Sequence, residues 1–147
     1  MFEVKLVKSD EDRARAFSLR KEVFVKEQGV PLSLELDEHD ATAIHFIVND
    51  GDETIATARL REIEPKIGKI ERVCVLSSYR GKRLGVLIME TVEQYAQKID
   101  FMKLKLNAQS YAVPFYEKLN YHVTSPEFMD AGIPHRAMEK YIANQSN

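Results

Sequence analysis

From Val73 to Tyr95 the chain reads VCVLSSYRGKRLGVLIMETVEQY, and this stretch constrains the fold more than any other. A β-branched apolar run passes through a small polar turn into a basic loop bearing Gly81 and Gly85. A helical pattern comes next, with Leu84, Leu87, Ile88, Val92, Tyr95 and Ile99 on one face. A strand that hands over directly to an amphipathic helix belongs in a layered α/β arrangement, with the helix packed back on a sheet.

The rest of the chain supplies that sheet. Phe2–Lys8 alternates apolar and polar residues as a half-buried strand does. Ser9-Asp10 then offers caps for a helix running to about Gln28, with Phe17, Arg20, Val23 and Phe24 near helical spacing and Gly29 and Pro31 closing it. Leu34–Asp40 reads as an acidic loop with a turn of helix. The dipeptide Asp50-Gly51 sits between Ala43–Asn49 and Glu53–Ile63 and predicts a hairpin. Pro65 and Gly68 predict a further turn before a strand over Lys69–Leu76. Met102–Ala108 reads as a short strand, Tyr111–Leu119 as a helix with Pro114 in its first turn, and Tyr121–Thr124 and His135–Ile142 as closing strands. Between those two strands lies a loop with Pro126, Gly132 and Pro134. The expected order is β-α-(α)-β-β-β-α-β-α-β-β, a mixed α/β (α+β) sheet in one domain over residues 1–147.

Composition narrows the partners. A formal charge of −2, with acids and bases interspersed, gives no reason to expect nucleic acid or an anionic membrane. The single cysteine, Cys74, excludes an internal disulfide framework. No leader-like segment opens the sequence, and no apolar run approaches the ~20 residues of a membrane span, so the expected location is cytoplasmic.

The loop over Arg80–Gly85 admits two readings. It is either a plain basic turn or a cradle for an anion. A helix start carries unpaired N–H groups and about half a positive charge. Arg80, Lys82 and Arg83 oppose that dipole, and a bound anion would offset the conflict. Neither GxGxxG nor GxxxxGK[ST] is present.

The segment YRGKRLGVLIM after VCVL resembles motif A of the GNAT family of N-acetyltransferases, whose loop pattern is Q/R-x-x-G-x-G/A. Arg80 and Gly85 match its ends, whereas Arg83 replaces its middle glycine. NAQSYAVPFYEKLNY (Asn107–Tyr121) resembles the family's motif B. LRKEVFVKEQGVPLSLELDEHDATAIH and GIPHRAMEK resemble a subgroup of small bacterial members. The resemblance spans nearly the whole chain and implies the GNAT acyl-CoA N-acyltransferase fold, with acetyl-CoA lying where Lys69–Leu76 and Met102–Ala108 splay apart. It assigns the pantetheine arm to the backbone of Val73, Cys74 and Val75, and the pyrophosphate to Arg80, Gly81, Lys82, Arg83, Leu84 and Gly85. Asn107 would bond to the pantetheine or mark the acetyl end, and Tyr111 and Phe115 would flank the cofactor from the following helix. Arg83 is compatible with the cradle if its side chain points outward on a backbone of negative φ, with its guanidinium then within reach of the 3′-phosphate.

The implied reaction moves an acetyl group to a primary amine in a ternary complex. The alternative is a domain that binds or senses acyl-CoA without turnover. Direct transfer needs a base for the amine and an acid for the departing thiolate. Tyr116 is the candidate acid, against a packing role. Glu71 is the candidate base, against a strand carboxylate paired with Arg72 or Arg59. Cys74 could form an acetyl-enzyme, but a cysteine within an apolar strand is ordinarily buried and inert. Glu35, Asp37, Glu38, His39, Asp40 and His45 do not complete a zinc-like set, so no metal is expected. Glu35, Asp37, His45 and His135 are candidate substrate residues, the acidic ones as a lip attracting a cationic amine or else as a solvated loop. The partners implied are acetyl-CoA, an amine acceptor and, by the family's habit, a second copy in a homodimer.

Overall fold

The computed structural model describes residues 2–143. The elements run β1 (Phe2–Leu6), α1 (Asp10–Arg20), a π-helical segment (Lys21–Glu27), α2 (Leu32–Glu35), a 3-10 turn (Glu38–Ala41), β2 (Ile44–Asp50), β3 (Glu53–Glu64) and β4 (Ile67–Val75). After a 3-10 turn at Ser77–Tyr79 come α3 (Leu84–Lys98), β5 (Lys103–Gln109), α4 (Val113–Lys118), β6 (His122–Val123), β7 (Phe128–Asp130) and β8 (Ile133–Tyr141). The hydrogen-bonded strand order is β1-β2-β3-β4-β5-β8-β6, with β7 also on β8. The β4–β5 pair is parallel, and the β1–β2, β2–β3, β5–β8, β6–β8 and β7–β8 pairs are antiparallel. This is the expected α/β class with a mixed sheet.

Two compact units are distinguishable. The first comprises residues up to Arg61 together with Arg72–Val92. Its strands β2 and β3 are buried continuously, from His45 to Asn49 and from Ile55 to Leu60, so both faces are covered. Ser9 accepts the N–H of Asp12 and caps α1, whose first turn carries Asp10, Glu11 and Asp12 against the helix dipole. Gly51 at φ +60 makes the β2–β3 hairpin turn, where a left-handed residue is required. The helix expected to run to Gln28 changes hydrogen-bond pattern after Arg20, as Gln28 N–H bonds to Val23 C=O.

The second unit comprises Glu62–Glu71 and the residues from Glu93 onward. Here β4 pairs with β5 from Ile67↔Lys103 to Ile70↔Leu106. Gly68 is not a turn residue as expected: it is buried within β4, and the turn is made by Lys66 at φ +65. The loop expected around Gly132 contains strand β7. Asp130 pairs with Ile133 across Ala131-Gly132, whose φ values of +52 and +77 form a two-residue hairpin turn.

Helix α3 buries Leu84, Ile88, Met89, Val92 and Ala96. Each large side chain contributes about 1.5–3 kcal/mol on burial. Ile99, expected on that stripe, lies beyond the helix and is 40% exposed. Pro114 sits in the first turn of α4, as expected.

Candidate active site

The first unit holds the basic loop. Leu76 N–H bonds to Ile55 C=O, and the 3-10 turn after it returns Tyr79 N–H to Leu76 C=O. Tyr79 Oη donates to Asp50 Oδ2 at 2.7 Å, and this bond pushes its phenol up to about 12. Arg80 is engaged outside the loop. Its Nη2 reaches Glu27 Oε1 at 2.9 Å, its Nη1 reaches the other carboxylate oxygen, and its Nε donates to Val75 C=O at 3.1 Å. That fork lowers the Glu27 carboxyl. Arg80 therefore ties the loop to the π-helical segment and to its own strand.

Gly81 comes next at φ +84, and a Cβ there would meet nothing within 4 Å, so glycine serves the left-handed backbone and not space. Arg83 stands at φ +62. The expectation of a negative φ is thus corrected: Arg83 adopts the conformation natural to the glycine it replaces. Its carbonyl accepts the N–H of Leu87 at 3.1 Å, so the N–H groups of Leu84, Gly85 and Val86 precede the helix's first i→i−4 bond. Lys82 and Arg83 are exposed, and no described residue meets either side chain by hydrogen bond or ion pair. α3 has no acid in its first turn. The result is a row of N–H groups ahead of the helix's first i→i−4 bond, beside two unengaged cations, an arrangement suited to an anion.

Upstream of that loop, Val73 and Val75 are half-buried and Cys74 is buried against Leu19 and Val23. Burial pushes the Cys74 thiol well above its ordinary value, an environment that suppresses the thiolate. Glu71 Oε2 lies 3.3 Å from Lys69 Nζ.

The acidic segment is organised differently from a solvated lip. Glu35 is 2% exposed, with Oε1 2.6 Å from Arg20 Nε and Oε2 2.9 Å from Arg72 Nε. Asp40 takes Arg20 at 2.6 Å and Arg59 at 2.9 Å, while Asp37 takes Arg59 at 2.7 Å and Arg72 at 3.2 Å. Three carboxylates thus meet three guanidiniums, and the cluster is neutral as a set. Burial alone would raise Asp37 and Asp40, but hydrogen bonds from Arg59 and Arg20 respectively outweigh it and hold both below the carboxylate range. For Glu35, burial wins over Arg20 and Arg72 and pushes the carboxyl up. Glu35 and Asp37 are thus paired with arginines and are not solvated carboxylates. His45 Nε2 donates to Asp40 C=O at 2.9 Å, and burial lowers its pKa. The pairing of Arg20, Arg59 and Arg72 with Glu35, Asp37 and Asp40 is not expected from the sequence, which suggests Arg59 and Arg72 only as partners of Glu71.

In the second unit, Tyr116 is buried on α4, with ring centroids 5.0 Å from Phe115 and 6.0 Å from Tyr121, both edge-on. Tyr121 Oη donates to Glu93 at 2.8 Å, and Lys140 also reaches Glu93, which commits Tyr121 to the packing of this unit. Phe115 is half-buried and Tyr111 is 78% exposed. Asn107 is exposed near the end of β5. His135 donates from Nδ1 to Ile133 C=O and stacks on Phe128, and is thereby held in the β7–β8 hairpin.

The matched family is the acetyltransferase (GNAT) domain, over residues 7–142. The uncharacterized N-acetyltransferase YjcF of Bacillus subtilis is 44% identical over 92% of this chain and 96% of its own length. Among solved structures, Escherichia coli ElaA is 25% identical with a TM-score of 0.86, covering 95% of this chain and 99% of that one. An acyl-CoA N-acyltransferase from Pseudomonas aeruginosa shares the fold at 24% identity and a TM-score of 0.88, with the same coverage. The chain belongs to the GNAT acetyltransferase family. It is an acyltransferase of that family, working with an acyl-CoA donor and an acceptor substrate.

Proposed function

We propose that the protein moves an acetyl group from acetyl-CoA to a primary amine, on a small molecule or a protein, by direct transfer in a ternary complex. The observation that carries this reading is the turn from Arg80 to Gly85. Arg80 is spent on Glu27 while the N–H groups of Leu84 and Gly85 stand beside the unengaged Lys82 and Arg83. A pyrophosphate has the charge and the acceptor oxygens that such a turn lacks. In this reading the backbone of Val73, Cys74 and Val75 meets the pantetheine arm as a strand would, Asn107 bonds to the pantetheine or marks the acetyl end, and Tyr111 and Phe115 flank the cofactor.

The acceptor dictates the chemistry. A primary amine near pKa 10 is mostly protonated at neutral pH. Glu71, through a water, takes its proton, and the nitrogen lone pair attacks the thioester carbon. As the C–N bond forms and the C–S bond breaks, backbone N–H groups stabilise the oxyanion and Tyr116 protonates the departing thiolate. The second proton of the now cationic nitrogen passes through solvent to the Tyr116 phenolate, and Glu71 returns its proton to water. The products are an amide and free CoA. The step needs no metal ion and no acetyl-cysteine, in keeping with the buried Cys74. We place the enzyme in the cytoplasm, without nucleic acid or membrane as partner, and expect a homodimer on sizing.

The test is thiol release from acetyl-CoA across an amine panel, with longer acyl-CoA donors run in parallel. Amine-dependent release, fastest with acetyl-CoA, supports the reading. Tight CoA binding with no release for any amine would replace it with an acyl-CoA-binding module.

A further inference from the structure

Arg72 sits inside β4 with φ +59, a left-handed conformation that a long side chain in mid-strand adopts only under constraint. The constraint is visible. Arg72 Nε donates to Glu35 C=O at 3.1 Å and faces Glu35 Oε2 at 2.9 Å. Its Nη2 donates to Leu34 C=O at 3.1 Å and to Asp37 Oδ2 at 3.2 Å. One guanidinium thus grips the backbone and the carboxylates of Leu34–Asp37 together.

That segment is itself anchored from behind. Arg20 Nη2 donates to Glu35 C=O at 2.7 Å while its Nε takes the Glu35 carboxylate. Arg59, inside β3, forks onto Asp37 and reaches Asp40. Asp40 closes the turn by accepting the N–H of Asp37 at 3.0 Å. Arg20 and Arg59 are 1% and 0% exposed, so the anchors are rigid and shielded from competing water. A left-handed residue inside a strand bends it and re-aims the backbone beyond it, as at a bulge. Beyond Arg72 that backbone is Val73, Cys74 and Val75.

We propose that Arg72 is a positioning residue, held left-handed by Glu35 and Asp37 with Arg20 and Arg59 behind them, and that it aims the backbone of Val73–Val75 at the acyl thioester. The catalytic half of this statement rests on the function proposed above; the conformational half does not. Glu35 and Asp37 then act on the reaction through the strand and not by touching the acceptor.

The test uses the full chain with Arg72→Ala and Arg72→Lys. The lysine variant keeps a cation beside Glu35 and so protects folding, but it loses the planar fork that bridges carbonyls and carboxylates. Amide hydrogen exchange at Val73–Val75 should rise about tenfold or more in both variants, with Ile47 and Ala56 of the neighbouring strands unchanged. In turnover assays kcat should fall roughly tenfold or more, while the Kd for CoA, held chiefly by the untouched phosphate loop, should weaken by less, through the pantetheine contacts of Val73–Val75. Unaltered exchange at Val73–Val75 in both variants would overturn the proposal, as would a rise spread evenly over β2 and β3. Raised exchange with an undiminished kcat would overturn the catalytic half alone. If the wild type releases no CoA with any amine, the proposed function fails and the exchange measurement still decides the clamp.

Discussion

Arg83 offers the sharpest test of how the loop binds phosphate. Its left-handed backbone costs about 1–2 kcal/mol for a residue with a Cβ. Glycine would remove that strain but lose about 0.5–1 kcal/mol through the entropy of the unfolded chain. Arg83→Gly should therefore lie between neutral and about 1.5 kcal/mol more stable, the difference of those two ranges. At ~2–4 °C per kcal/mol for a domain of this size, that is at most about 6 °C in Tm. Arg83→Ala keeps the strain and should not gain. The same pair separates backbone from side chain in binding. If N–H groups cradle the pyrophosphate, both variants should hold dephospho-CoA within about threefold of wild type. If the free guanidinium meets the 3′-phosphate, a charge-assisted contact of about 1.5–3 kcal/mol disappears, and CoA itself should weaken roughly 10- to 150-fold. Titration calorimetry with both ligands reads each quantity. An equal, large loss for CoA and dephospho-CoA in Arg83→Gly would refute the backbone cradle. No loss for either ligand would remove the 3′-phosphate contact.

Other expectations concern chemistry and stability. Glu71→Gln and Tyr116→Phe should each lower kcat by about 10²- to 10⁴-fold while leaving the Kd for acetyl-CoA unchanged; a normal rate in either variant removes that residue from the mechanism. Asp37 and Asp40 have depressed pKa values, so their stabilisation is complete above about pH 4 and is lost as pH falls through their folded values. Glu35, shifted upward, works in the opposite sense. Thermal scans from pH 5 down to pH 2 should show a falling Tm, and Asp37→Asn should flatten the fall; an unchanged slope in that variant would separate the cluster from acid lability. Cys74 should resist alkylation by iodoacetamide in the native state at pH 8 and react only on unfolding. Modification at the rate of a free thiol would contradict its burial.

Much of this molecule could be read locally. The helical stripe of α3, the Asp50-Gly51 hairpin and the basic loop are patterns of neighbours in sequence, and each lies where those patterns indicate, save that the stripe stops short of Ile99. The features that escaped are of two kinds. Some are conformational choices between near-equivalent patterns: apolar spacing does not separate the π-helical Lys21–Glu27 from more α-helix, and three residues flanked by Pro126, Gly132 and Pro134 carry little sign of β7. Others are long-range. Glu35, Asp37 and Asp40 look like a solvated acidic run because their partners are distant, with Arg72 reaching across to Leu34, Glu35 and Asp37. One local hint existed. Arg20 falls among Phe17, Val23 and Phe24 at helical spacing, and a cation placed on an apolar stripe must find buried anions or leave the core.

The two left-handed arginines on either side of Val73–Lys82 show why this hidden network matters to the readable loop. Both hold a conformation that sequence would give to glycine, at φ +59 and +62. At Arg83 no described side chain holds it there, so glycine should substitute freely, and the family's loop pattern has glycine at that position. At Arg72 the side chain is itself the constraint, clasped by Leu34, Glu35 and Asp37. Arg72→Gly should therefore lose function through a strand that is permitted to be left-handed but is no longer held so, whereas Arg83→Gly should keep the cradle. The same substitution with opposite outcomes would separate a conformation that the backbone merely allows from one that a side chain enforces.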